Sequence, residues 1–256
     1  MRRKFPECGG VIFGHSHIPL FAQADDVLGF LLSDLCFNGP AETLNDTLNT
    51  QPALFVMGVA LVRALSEALG DAFQPACAAG HSLGELTALT AAGAMPFEDG
   101  LRLVRERGRL MHEASQRAPG AMAAVLGLDT EALAGICAEA SAQTGRPLVI
   151  ANDNCPGQIV ISGHKEACQR ACEMAEKFGA MKAVPLAVAG AFHTKQMNPA
   201  AQKLAQALEQ CEIRNPSLIK VIANIDAEYY KSSDSVRKGL TRQLIEPILR
   251  TESEDL

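Results

Sequence analysis

The chain has 256 residues, 48% hydrophobic and 20% charged, enough for one large core or a core plus a small inserted domain. Its formal net charge of −6 gives no general attraction to nucleic acid or to an anionic membrane surface, so an anionic substrate needs a local basic group. Eight cysteines include no CxxC pair, and Cys168 and Cys172, one helical turn apart, have no suitably spaced histidine. They read as scattered reduced thiols, with neither a metal site nor a disulfide framework expected. Met1 to Lys4 are followed by Phe5-Pro6 without an apolar run, and no later segment reads as a membrane span, so the expected location is cytoplasmic.

Along the chain the first 23 residues are poorly patterned: Val11-Ile12-Phe13 reads as a short strand running into Gly14, and His15, Ser16, His17 and Pro19 then give no clear helix start. From Asn49 to Leu69, Leu54, Met57, Leu61 and Leu65 recur at helical spacing, with Thr50 as candidate cap and Pro52 in the first turn. A strand-like run, Ala76 to Ala79, leads through Gly80 into a helix from His81 to Ala92, and a further helix spans Phe97 to Ala114. The next segment reads as strand 121–126, helix 130–143, strands 148–152 and 158–162 around an Asn154-Cys155-Pro156-Gly157 turn, helix 165–178 and strand 181–186. This βαββαβ order predicts a ferredoxin-like subdomain over residues 120–186, inserted into a discontinuous large α/β domain of residues 1–119 and 187–256 with a parallel sheet. The large domain closes with a helix at 199–210, a strand at 219–224 and a last helix from Ser233 to about Ile245.

Gly80-His81-Ser82-Leu83-Gly84 has the GxSxG spacing of a nucleophile elbow: a serine on a tight strand-to-helix turn, with helix N–H donors near the developing oxyanion. Ser82 is therefore the candidate nucleophile, and it needs a base. The six histidines are His15, His17, His81, His112, His164 and His193. His81 adjoins the elbow with its side chain expected to point away. His193 follows Gly190-Ala191-Phe192 where the chain re-enters the large domain, which makes it the candidate base. A substrate carboxylate would call for a guanidinium, whose fork grips two oxygens. Arg102, Arg105, Arg107 and Arg109 crowd one helix, and composition leaves open which points inward.

Gly80-His81-Ser82-Leu83-Gly84-Glu85 resembles the signature of the malonyl-CoA:acyl-carrier-protein transacylases, the family that includes the acyltransferase domains of polyketide synthases. The likeness extends through Asn49 to Ala53, Arg105 to Met111, Pro156 to Gly163, Gly190 to His193 and Ala223-Asn224, and covers roughly residues 24–247. It implies an α/β-hydrolase-like large domain and transfer of malonate from malonyl-CoA to the phosphopantetheine thiol of acyl carrier protein, with no cofactor and a monomeric enzyme. By the resemblance, Ser82 carries the acyl group, His193 is the base, Arg107 clamps the free carboxylate and Leu83 N–H is an oxyanion donor. Gln243 supports the base, His81 and Asn152 belong to the substrate site, and Phe192 favours malonyl over an α-methyl extender. Such a pocket discriminates by only about 1–3 kcal/mol.

Two departures accompany it. Where the family has a Gly-Gln-Gly-Ser-Gln loop with a second oxyanion donor, this chain has Gly14-His15-Ser16-His17, and after Pro247 it ends in a short acidic tail. An alternative is therefore a truncated or degenerate acyltransferase-fold protein that binds CoA or carrier protein with little catalysis. A serine hydrolase or thioesterase is a further alternative, weakened because Asp129 and Asp153, the acids between Ser82 and His193 considered for a triad, fall in the predicted small subdomain.

Overall fold

The computed structural model describes residues 17–251, with side chains from Pro19 onward. Val11-Ile12-Phe13 and the Gly14-His15-Ser16 segment lie outside the described residues. The chain enters through α1 (His17–Leu28), α2 (Leu32–Asn38) and α3 (Ala41–Leu44), three helices that the sequence did not announce. Asp25 anchors the turn between the first two, accepting from Ser33 N at 2.9 Å and from Ser33 Oγ at 2.6 Å.

α4 (Thr47–Leu69) begins two residues earlier than expected, because Asp46 rather than Thr50 caps it by accepting from Leu48 N. Pro52 consequently lies beyond the first turn. The expected Leu54, Leu61 and Leu65 stripe faces outward, about half exposed, while Gln51, Phe55, Val56, Val59 and Ala60 are buried. Both faces of this helix are apolar, so periodicity alone cannot choose between them. Packing chooses: α4 lies against α1, α5 (Leu83–Ala91) and α6 (Phe97–Arg117), and those neighbours cover the Phe55 face. With the following turn, Thr47–Ala72 is long and apolar enough by composition to cross a membrane, contrary to the sequence reading that no segment is.

Between α4 and α5 runs β1 (Cys77–Ala78). The small subdomain elements follow α6 in the expected order: β2 (Ala121–Leu126), α7 (Thr130–Thr144), β3 (Leu148–Cys155), β4 (Gln158–Gly163), α8 (Lys165–Lys177) and β5 (Lys182–Pro185). They are hydrogen-bonded antiparallel in the order β5-β2-β4-β3, the ferredoxin-like arrangement. Val125, Ile159 and Ile161 join Leu133, Ile136 and Met174 of the two helices in one core. Alternation along the strands sends Met122, Ala151 and Val160 to the opposite face, toward Phe192.

α9 (Asn198–Glu209), β6 (Lys220–Val221) and α10 (Ser233–Gln243) complete the larger core. Among the described residues the expected parallel sheet is a single pair, β1 with β6, two residues on each strand. The strand expected at 219–224 is thus shorter, its end replaced by the loop that carries Asn224. β7 (Ile248–Leu249) was not anticipated. It joins the small sheet as a fifth strand, parallel to β3, with Asn152 opposite Ile248.

Candidate active site

Ser82 stands at the junction of β1 and α5 with φ 50° and ψ −100°, a strained conformation for a residue with a side chain. Three side-chain bonds hold it. Asn224 accepts from Ser82 N at 2.7 Å and donates to Gly80 O at 2.8 Å, and Gln243 Nε2 donates to Ser82 O at 2.9 Å. Gly80 is required sterically, since a Cβ there would lie 2.0 Å from Gly84 O. Leu83 is the first residue of α5, so its N–H has no intrahelical acceptor and adjoins the serine.

Across from the serine, His193 places Nε2 3.0 Å from Ser82 Oγ and Nδ1 2.6 Å from the Gln243 carbonyl oxygen. A carbonyl only accepts, so Nδ1 carries the proton and Nε2 is left as acceptor for the serine hydroxyl. Burial, and then the nearby Arg107 charge, push the imidazole pKa down to about 3, while the Gln243 carbonyl pulls the other way. His193 is thus neutral at neutral pH and able to receive a proton.

Arg107 is fully buried, on the same helical face as Leu101, Val104, Gly108 and Met111. Its Nη2 donates to Ser82 Oγ and to Gln243 Oε1, each at 2.9 Å, and Nη1 donates to Gln51 Oε1 at 2.7 Å. Nε has no acceptor among the described residues. Burial lowers its pKa to about 10 and Glu85 opposes that, so the guanidinium is cationic at neutral pH. Arg102 and Arg109 pair outward with Asp99 and with Glu106 and Glu113. Arg105 reaches Asn49 at 3.0 Å and lies over the Phe30 ring.

These groups open on a cavity of about 490 Å³ between the elbow and the bare face of the small sheet. Ser82, Leu83, Arg107, Phe192 and His193 line it, together with His81 and Asn152. His81 spans the cleft, with Nε2 2.9 Å from Asn154 Oδ1 and 3.4 Å from Asn152 Nδ2. Burial lowers its pKa. Gln243 sits immediately behind the wall, buried. All eight residues singled out from the sequence are therefore brought to one place. No group of three or more His, Cys, Asp or Glu side chains is arranged for a metal ion among the described residues.

A family model described as an acyl transferase domain matches residues 22–246. The malonyl CoA-acyl carrier protein transacylase of Escherichia coli K12 is 44% identical over 91% of this chain and 74% of its own length. That of Bacillus subtilis is 42% identical over 91% of this chain and 72% of its own. The chain belongs to the acyl transferase domain family, among its malonyl-CoA:acyl-carrier-protein transacylases. The solved transacylase from Coxiella burnetii superposes with a TM-score of 0.88 at 40% identity, covering 93% of this chain and 73% of that one. A malonyl transacylase solved in complex with its type II polyketide synthase acyl carrier protein gives 0.88 at 42% identity, over 94% and 76%.

Four further residues shape the site beyond those with a role read from the sequence: Asn224, Gln51, Glu85 and Tyr230. Asn224, Gln51 and Glu85 lie inside the matching motifs but line up with no attacking or proton-transferring role at Ser82, and their importance is in whom they touch across the chain. Arg107 had a legible signal after all. Among the helix arginines it alone falls in phase with the apolar stripe, and a cation on a core face needs a reason.

Proposed function

We propose that this protein transfers a malonyl group from malonyl-CoA to the phosphopantetheine thiol of acyl carrier protein through an ester on Ser82. The observation that carries the reading is the position of Ser82 Oγ, within hydrogen-bond distance of both a neutral imidazole nitrogen and a buried guanidinium. In the first half-reaction the serine proton passes to His193 Nε2 as Oγ attacks the thioester carbon. Leu83 N–H stabilises the oxyanion. The tetrahedral intermediate then expels the CoA thiolate, which takes the proton back from His193. In the second half-reaction the carrier thiol gives its proton to His193 and attacks the ester, and Ser82 recovers its proton as it leaves. His193 needs no acid partner, because the Gln243 carbonyl fixes its tautomer.

Arg107 receives the free carboxylate of the malonyl group, exchanging neutral acceptors for a charged one. Phe192, beside His193, limits bulk at the α-carbon. His81 and Asn152 line the far wall, where a thioester arm would lie. The division into residues 1–119 with 187–256, and 120–186, is part of this reading: the separate apolar cores support it, and the active site falls between the two units. A cytoplasmic location, where a thioester donor and a soluble carrier protein would meet, is part of the same reading.

The test is transfer itself. Malonyl-CoA and holo acyl carrier protein are incubated with the chain, and the carrier is weighed intact. Malonyl-carrier formed by wild type and lost in Ser82→Ala and His193→Ala supports the reading. Free malonate released with or without carrier, and no malonyl-carrier, would favour a thioesterase instead.

A further inference from the structure

Glu85 ends the Gly80 to Glu85 motif but lines no part of the cavity. It is fully buried on α5, one turn beyond Ser82. Its carboxylate accepts from Gln243 Nε2 at 2.7 Å, from Asn224 N at 3.2 Å and from the Tyr230 hydroxyl. Three donors and no acceptor suit an ionised carboxylate. On the other side of the same Gln243 amide, Oε1 accepts from Arg107. The acceptors recorded on Arg107 itself, Gln51, Ser82 and Gln243, are all neutral. A buried cation and a buried anion are thus held one amide apart, each stabilising the charge of the other.

We infer that Glu85 is the resident counter-ion of Arg107 and takes up a proton from solvent when a substrate carboxylate reaches that guanidinium. This makes Glu85 a positioning residue, acting through Gln243 and Arg107. The inference rests on the proposed role of Arg107 as carboxylate clamp.

The charge count gives the reason. Above about pH 7 the empty site holds one positive and one negative group. An arriving carboxylate adds a second negative charge in a space with little water, and an uncompensated buried charge is costly. Two carboxylates facing one cation raise the pKa of one of them. Glu85 is the group placed to yield, because burial already lifts it to about 7 against the pull of its three donors and of Arg107. The added proton falls on Oε1 facing the Tyr230 oxygen, which can accept it once its own hydroxyl hydrogen rotates away from Glu85.

The other groups facing this cluster do not compete in the neutral range, except after binding. From α6, Arg107 remains cationic. From the loop after β6, burial and Glu85 push the Tyr230 phenol up, and it stays neutral. Asp226 and Arg242 act on that hydroxyl. His81 is lowered. His193 is held down partly by Arg107, so a bound carboxylate also relaxes it upward, which is why the experiment includes a Glu85 variant.

Binding of malonyl-CoA to the Ser82→Ala protein is measured calorimetrically in buffers of different ionisation enthalpy, with acetyl-CoA, which lacks the carboxylate, as control. For a one-unit rise in the Glu85 pKa, linkage gives uptake of about half a proton near pH 7.5. The same rise increases the malonyl-to-acetyl affinity ratio about fivefold from about pH 8 to about pH 6. Glu85→Gln keeps an acceptor for Gln243 and removes the charge, and it should abolish both effects. Should that variant fail to fold, the same titrations on the Ser82→Ala protein carrying His193→Ala decide: uptake and pH dependence that persist without the imidazole support Glu85, and their loss overturns the inference. Tight malonyl-CoA binding with no uptake, equal uptake with acetyl-CoA, or uptake that survives Glu85→Gln overturns the inference and leaves the proposed function standing. Equal affinity for the two thioesters at every pH removes the clamp itself, and the inference with it.

Discussion

Asn224→Ala isolates what holds the elbow. The asparagine supplies the acceptor for Ser82 N at 2.7 Å and the donor to Gly80 O at 2.8 Å, tying the strained turn to the loop after β6 from both sides. Two partly buried hydrogen bonds left unmade cost about 2–4 kcal/mol together. Relaxation of Ser82 from φ 50° returns about 1–3 kcal/mol of strain. The net loss of stability is therefore modest, about 1 kcal/mol at the midpoints of these ranges and no more than about 3. The loss of activity is not cushioned in this way. A relaxed elbow moves Ser82 Oγ from its 3.0 Å contact with His193, and a displacement of about 1 Å typically costs about 10²-fold in rate. Urea unfolding and single-turnover acylation by malonyl-CoA measure the two quantities on the same preparation. Acylation within twofold of wild type, in a variant destabilised by the expected amount, would refute the idea that Asn224 maintains the reactive geometry.

Gly80→Ala places a methyl 2.0 Å from Gly84 O and 2.7 Å from Glu85 N, backbone atoms that cannot yield, so acylation should be lost, read by burst kinetics on protein that circular dichroism shows to be folded. Arg107→Ala should lower kcat/KM for malonyl-CoA by roughly 10- to 150-fold, equivalent to charge-assisted hydrogen bonds of about 1.5–3 kcal/mol, while acetyl-CoA loading falls far less. For His193, the folded pKa of about 3 lies below the ordinary imidazole value of 6.5. The unfolded chain therefore binds the proton first. The stability that His193 contributes is complete above about pH 6.5 and is lost as the pH falls toward about 3. Urea midpoints across that range should show a shallower acid slope in His193→Ala.

Much of the site was legible because it is written locally. The elbow spacing at Gly80 to Gly84 marks Ser82 without any knowledge of the fold, and the alternating strands around the 154–157 turn mark the small subdomain. Other features depend on partners far along the chain. Asn224 reads only as the end of a strand until its side chain is seen bridging Gly80 and Ser82. β7 is two residues long, and its pairing with β3 is a long-range event that no local pattern encodes. The buried face of α4 was misread since Leu54, Leu61 and Leu65 are as apolar as Phe55 and Val59, and only the neighbours α5 and α6 decide between them. Helices α1 to α3 were missed for a similar reason: α2 and α3 are short, and tertiary packing, as of Leu20, Phe21 and Leu32, supplies most of their order.

The most direct test of the account is the intact mass of the purified chain after brief incubation with malonyl-CoA, followed by peptide mapping. The account predicts one malonyl adduct per chain, located on Ser82, absent from Ser82→Ala, and removed by holo acyl carrier protein with the malonyl group appearing on the carrier. An adduct elsewhere, or none on folded protein that binds malonyl-CoA, would contradict it.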